Sequence, residues 1–264
     1  MWRHDISTHF IKILIFRLYF RFIAVNCNKL IEMEQQMDLK VIYEDNHIIV
    51  VEKPVNIPSQ GDKTGDIDML TIIRDYLKEK YNKPGNVYLG LVHRLDRPVG
   101  GVMVFAKTSK AAARLSEQVR EKIFKKKYLV IANGKFKEEK GVLADYLLKN
   151  EKNNMSKVVK ENTKNSKFAE LDYEVLKYDA ELDLSVLKIN LHTGRHHQIR
   201  VQLSSRNHSI YGDQKYGGRG HGKQICLWAY ELTIQHPITK EEMTFRSIPQ
   251  KEGSWKILEG IDNI

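Results

Sequence analysis

From Leu39 onward, short apolar runs alternate with polar turns and two amphipathic stretches. Val41-Ile42-Tyr43 and Ile48-Ile49-Val50-Val51-Glu52 flank the polar Glu44–His47, the pattern of two short strands around a turn. Lys53-Pro54-Val55-Asn56-Ile57-Pro58 ends that unit, because proline cannot continue a central strand. Residues 68–80 repeat apolar Leu70, Ile73 and Leu77, which predicts a helix with Asp68 as its N-cap. Residues 109–121 predict a second helix, capped by Ser109, with Ala112, Leu115 and Val119 facing inward. Val102–Ala106 and Lys127–Asn133 read as buried strands, and residues 168–176, 184–192 and 227–233 as further short strands. Residues 149–167 are polar and rich in lysine, an exposed hairpin or loop. There is no repeat, heptad array or low-complexity linker. The pattern predicts an α+β fold: one domain over residues 37–264, with a large, mostly antiparallel mixed sheet flanked by helices and opened by a cleft.

Residues 1–36 depart from this pattern. Phe10–Val25 is apolar but broken by Lys12, Arg17 and Arg21. It is shorter than the roughly 20 mostly apolar residues a spanning helix needs, and its charges sit inside the apolar run rather than before it. We read it as a dispensable extension, with Met33 or Met37 as the start of translation. Removing it leaves the basic surplus nearly intact, since it holds five Lys/Arg and three Asp/Glu.

Charge adds a partner class. The chain carries 43 Lys and Arg against 33 Asp and Glu, a formal net charge of +10. Basic residues spread through a globular sequence point to a polyanion, nucleic acid before membrane. The two cysteines, Cys27 and Cys226, form no C-x-x-C or disulfide framework, which fits a cytoplasmic protein.

The densest chemistry lies in Gly90–Gly101 (GLVHRLDRPVGG), where Asp96 stands between Arg94 and Arg97. Pro98 and Gly100-Gly101 break the backbone before a buried strand, so Asp96 sits in a tight loop at the mouth of a sheet. Flanking cations favour its ionised form, and with it a nucleophile or an ion-pair anchor over a general acid. Two further segments stand out: Lys126-Lys127-Tyr128, where a tyrosine opens a strand, and Leu191–Leu203 (LHTGRHHQIRVQL). In the latter, Ile199, Val201 and Leu203 alternate with Arg200 and Gln202. On a strand this separates an aliphatic from a polar face, whereas on a helix His196, Ile199 and Arg200 become neighbours. His192, His196 and His197 have no cysteine or carboxylate at metal spacing, so no metal is expected. Gly217–Gly222 lacks the Lys-Ser/Thr of a phosphate-binding loop and reads as a mobile surface loop.

HRLDRPVGGVMVFAKT, KKYLVIANG and HTGRHHQIRVQL, with the weaker YGDQKYG at 211–217, closely resemble, in order and spacing, the signature segments of the RluA-type RNA pseudouridine synthases. The resemblance spans about residues 38–255. It implies a pseudouridine-synthase-type catalytic domain that isomerises uridines in ribosomal or transfer RNA, an isomerase with no cofactor or metal, acting as a monomer without membrane attachment. It makes Asp96, Tyr128 and Arg200 the catalytic set: Asp96 reacts with the extruded nucleotide, Tyr128 stacks on the base, and Arg200 pairs with Asp96. His93, Arg94, Arg97, Lys127, Arg195, His197 and Gln198 become the expected RNA contacts. The competing reading is a catalytically silent RNA-binding protein or chaperone of the same fold. The sequence departs from many members after HRLD-R, having Pro98-Val99-Gly100-Gly101 for Asp-Thr/Ser-Ser-Gly, which bears on substrate choice. It carries no S4-type module, so the catalytic domain is expected to supply its own RNA affinity.

Overall fold

The computed structural model describes residues 39–220 and 222–261. The expected N-terminal extension lies outside them. Strands β1 (Val41–Glu44) and β2 (Ile48–Lys53) form the expected antiparallel pair. Helix α1 (Met69–Lys80) is capped as anticipated, Asp68 accepting the Thr71 backbone N–H at 2.7 Å. Its buried positions are Met69, Ile73 and Leu77, a face rotated from the expected one because Leu70 is only half-buried. Strand β3 (Gly90–Leu91) leads into the Asp96 loop, and β4 (Gly100–Ala106) is buried along its whole length. Helix α2 (Ser109–Arg120) is capped by Thr108 rather than Ser109. Thr108 has the extended backbone a cap requires and accepts the Ala111 N–H at 3.2 Å. Ala111, Leu115 and Gln118 face inward on this helix, while Ala112 and Val119 pack at its margin.

The chain continues through β5 (Lys125–Asn133), β6 (Lys140–Asn150), β7 (Met155–Val159), β8 (Lys167–Asp179) and β9 (Leu184–Leu191). The lysine-rich 149–167 segment therefore spans the β6–β7 turn, the whole of β7 and the turn into β8. The ambiguous third segment is a helix, α3 (Gln198–Ser204). Its alternation of apolar and polar residues suits a strand, yet every residue from Gln198 to Leu203 is buried, because Gln198, Arg200 and Gln202 find inward-facing partners. Tertiary hydrogen bonds here override the local pattern. Strands β10 (Leu227–Gln235) and β11 (Glu242–Arg246) and a 3-10 turn (Gly253–Leu258) complete the fold.

The strands form one sheet in the order β1-β2-β4-β10-β5-β9-β8-β6-β7, with β3 on β4 and β11 on β10. Among the described residues, every pairing is antiparallel except β4 with β10. That parallel contact is short, Trp228 opposite Gly100 and Ala229 opposite Gly101, after which β11 takes over the same edge of β10. The junction explains the glycine pair. A Cβ at Gly100 would lie 2.3 Å from the Trp228 ring, and one at Gly101 (φ +122°) would lie 2.2 Å from the Ala229 carbonyl oxygen. Neither space nor backbone permits a side chain.

Among the described residues, three apolar clusters hold the layers. Helix α2 covers Ile48, Val50, Val102, Val104 and Leu232. The 3-10 turn packs Ile257 and Leu258 on Leu129, Ile131, Val186 and Trp228. Val201 of α3 meets Leu147 and Ala169 beside Tyr216. The Gly217–Arg219 part of the expected mobile loop is anchored instead: Gly218 N–H donates to the Asp213 carbonyl at 2.9 Å, and Arg219 pairs with Asp183 at 3.1 Å.

Candidate active site

Asp96 sits between β3 and β4 in a turn closed by the Val99 N–H on the Asp96 carbonyl, 2.9 Å. Two residues behind it fix this turn. Lys53, fully buried at the end of β2, donates to the carbonyls of Pro54 (2.8 Å), Arg97 (3.0 Å) and Val99 (2.8 Å). Ser59 donates to the Leu95 carbonyl at 2.8 Å and accepts the Leu95 N–H at 3.2 Å. Burial pulls the Lys53 ammonium down to about 7, opposed by the nearby negative charge of Asp96.

The Asp96 carboxylate is partly open to solvent. Its Oδ2 accepts from Arg200 Nη1 at 3.0 Å and lies 3.5 Å from His197 Nε2. Arg200 reaches it from α3, and is itself gripped by Asp213, Nε to Oδ2 and Nη2 to Oδ1, each at 2.8 Å. Asp213 is fully buried, and the Arg200 guanidinium lies 5.2 Å from the Tyr216 ring centre. A two-point grip fixes the plane of a guanidinium, so the remaining nitrogen is aimed at Asp96 rather than free to swing.

Tyr128 lies on β5 between Ala229 of β10 and Ile189 of β9. Burial, and then the charge of Asp96, raise its phenol pKa, so the hydroxyl stays protonated at neutral pH. Asp96 thus pairs with Arg200 from 104 positions away, and its charge is felt at the Tyr128 phenol.

The expected RNA contacts divide. Arg94 is exposed and makes no hydrogen bond or ion pair among the described residues. Arg195 is exposed, its Nε donating to the Phe168 carbonyl at 2.8 Å. The others make contacts within the protein. Arg97 turns away from Asp96 to pair with Asp66 and Asp62, so it braces the 56–66 loop rather than flanking the carboxylate. Lys127 pairs with buried Glu231 at 2.8 Å. The Gln198 amide bonds Thr193, the Arg195 N–H and the Glu170 carbonyl, locking the 193–198 turn. His93 accepts the Val104 N–H on Nε2 at 3.1 Å and packs on Phe124; burial holds its ring neutral, with a pKa near 3. His197 faces inward at the foot of α3. The histidines have separate partners: His192 with Asp172, His196 with Ser156, His197 with Tyr216.

Sequence reasoning gave no role to Lys53, Asp213 or Tyr216. Asp213 and Tyr216 lie inside the 211–217 match, but nothing local shows that they turn toward Arg200. Lys53, a lysine ending an apolar strand before a proline, was the one legible signal.

The mixed sheet, with one parallel junction among the described residues and an ion-paired carboxylate beside it, has a fold seen in solved pseudouridine synthase domains. Human RNA pseudouridylate synthase domain containing 4 superposes with a TM-score of 0.67 at 22% identity, covering 80% of this chain and 89% of that one. The RNA pseudouridylate synthase family model matches residues 47–205. An uncharacterized RNA pseudouridine synthase of Aquifex aeolicus is 33% identical over 224 residues, 80% of this chain and 69% of the relative. The dual-specificity RNA pseudouridine synthase RluA of Escherichia coli K12 is 33% identical over 219 residues, 81% of this chain and 94% of the relative. The chain belongs to the RNA pseudouridylate synthase family and, with it, is an isomerase that converts uridine in RNA to pseudouridine. Among the described residues, no helix is long and apolar enough to cross a membrane.

Proposed function

We propose that this protein isomerises specific uridines of ribosomal or transfer RNA, with Asp96 as the catalytic carboxylate. The observation that carries the reading is the 3.0 Å Asp96–Arg200 pair, held by Asp213 beside Tyr128. The reaction breaks the C1′–N1 bond of an extruded uridine and forms C1′–C5, with N1 gaining a proton and C5 losing one. Asp96 supplies the reacting carboxylate at the sugar or base. Arg200 orients it and offsets its charge. Tyr128 offers a ring face to the flipped base, and its protonated hydroxyl makes it a hydrogen-bond donor before it is a base. Arg94 and Arg195, both exposed, are among the side chains available to phosphates.

The names of the relatives support the substrate class: a dual-specificity enzyme, and a ribosomal large subunit pseudouridine synthase D of Nitrosomonas europaea that is 29% identical over 244 residues. The reading assigns the activity to residues 37–264, none to 1–36, and a cytoplasmic monomer as the working form. Carbodiimide mapping of RNA from cells with and without the gene tests it. At least one pseudouridine should vanish on deletion, return with the wild-type gene and fail to return with Asp96→Asn. Full rescue by Asp96→Asn would leave only an RNA-binding role.

A further inference from the structure

Asp96 has a second polar neighbour, one whose orientation is set from outside the cleft. His197 Nε2 lies 3.5 Å from Asp96 Oδ2, the oxygen that Arg200 also binds. The other ring nitrogen, Nδ1, is 2.9 Å from the Tyr216 hydroxyl. That hydroxyl in turn accepts the Ser156 backbone N–H of β7 at 2.7 Å. With Ser156 on one lone pair, the phenolic proton has His197 Nδ1 as its acceptor among the described residues. An imidazole that accepts on Nδ1 carries its proton on Nε2. Burial keeps this ring neutral, with a pKa near 3, and raises that of the Tyr216 phenol, so both groups hold these roles at neutral pH.

The backbone agrees. His197 sits at φ 54°, ψ 26°, left-handed space that a non-glycine residue keeps only where its surroundings impose it. Those surroundings come from β7 as well. Ser156 Oγ donates to the His196 carbonyl at 2.8 Å and lies 3.0 Å from His196 Nδ1, and the His196 ring stacks on His197 at 3.8 Å. The hairpin that holds both histidines exposes Lys152 and Lys157 to solvent, groups suited to phosphate.

We propose that Ser156, Tyr216 and His197 form a relay in which Tyr216 and His197 are positioning residues: the relay fixes His197 as a second hydrogen-bond donor aimed at Asp96 and ties the catalytic carboxylate to the β6–β7 hairpin. This rests on Asp96 being the catalytic carboxylate. At 3.5 Å the final contact is longer than a formed hydrogen bond, and RNA seated on the hairpin closes it.

Long-range 1H–15N correlation spectra of the 15N-histidine-labelled protein, with His197→Gln identifying the signal, read the tautomer directly. Wild-type His197 should be neutral with its proton on Nε2, and Tyr216→Phe should move it toward Nδ1. Turnover is followed as tritium release from [5-3H]uridine-labelled total RNA of cells lacking the gene. At saturating enzyme, Tyr216→Phe should react about ten- to hundredfold more slowly, the worth of one hydrogen bond to a charged group, with RNA affinity unchanged. His197→Gln, which keeps an amide donor, should lose less than His197→Ala. A wild-type ring protonated on Nδ1 overturns the relay; so does a Tyr216→Phe protein that reacts at the wild-type rate or loses only affinity. Asp96→Asn separates the two readings: activity surviving it sinks the catalytic assignment, whereas its loss beside a normal Tyr216→Phe sinks the relay alone.

Discussion

Arg200 holds Asp213 with two of its nitrogens and Asp96 with one. The unequal sharing assigns different work to two carboxylates on the same cation. Asp213 is a permanent counterion, sealed from water, while the Asp96 carboxylate stays partly open to solvent.

Replacing Asp213 therefore strikes stability first. Asp213→Ala leaves a buried guanidinium short of its main partner, a loss of about 3–5 kcal/mol in urea denaturation. Asp213→Asn, which keeps the shape, should cost less yet still slow turnover by freeing the Arg200 plane. A loss below about 1 kcal/mol for the alanine variant would mean that Arg200 simply re-pairs.

Lys53 predicts a pH dependence. Its folded pKa of about 7 lies below the usual lysine value of 10.5, so between these pH values unfolding takes up a proton and this residue's contribution to stability rises with pH. Lys53→Met removes that contribution. Wild type should gain on the variant as pH climbs from 7 toward 10, measured by urea midpoints at both ends. Parallel curves would place the lysine's titration elsewhere.

Arg97 and Arg94, neighbours of Asp96 in sequence, should behave oppositely. Arg97→Ala frees the 56–66 loop from its tie to Asp66 and Thr64, so limited proteolysis there should accelerate while RNA affinity holds. Arg94→Ala should weaken RNA binding, flatten its salt dependence and leave the loop protected. A reversed pattern would return Arg97 to the RNA surface.

Gly101→Ala should cost about 2–4 kcal/mol, combining left-handed strain with a Cβ pressed on the Ala229 carbonyl. Thermal unfolding checks it, and a change within about 0.5 kcal/mol would show that the strand junction yields.

Helices α1 and α2 and strands β1, β2, β4, β5, β8, β9 and β10 were legible because their apolar spacing is local, whereas the largely exposed β6 and β11 were not. The helix caps came out half right, since Asp68 caps α1 as expected but α2 begins from Thr108. Residues 198–204 were not legible: the partners that make Arg200 and Gln202 inward-facing lie on segments 13 and some 57 positions away. The same distance effect decided the site. Asp96 stood out through its own loop, but the cation that serves it comes from α3, not from the arginines beside it. A sequence shows charges without their counterions, so nothing in it indicated that Arg97 pairs with Asp66 or Lys127 with Glu231.

The strand junction at Gly100-Gly101 also orders events in time. β4 cannot settle beside β10 until residues 227–235 exist, and β5 needs both β9 and β10 to fill its two edges. During synthesis, the first half of the chain can assemble only β1 to β4 with their helices, a sheet with an exposed edge and an Asp96 loop that still lacks Arg200. Contacts of such sequence separation form late. A chain cut short before α3 therefore carries the signature loop without the arginine that its carboxylate binds.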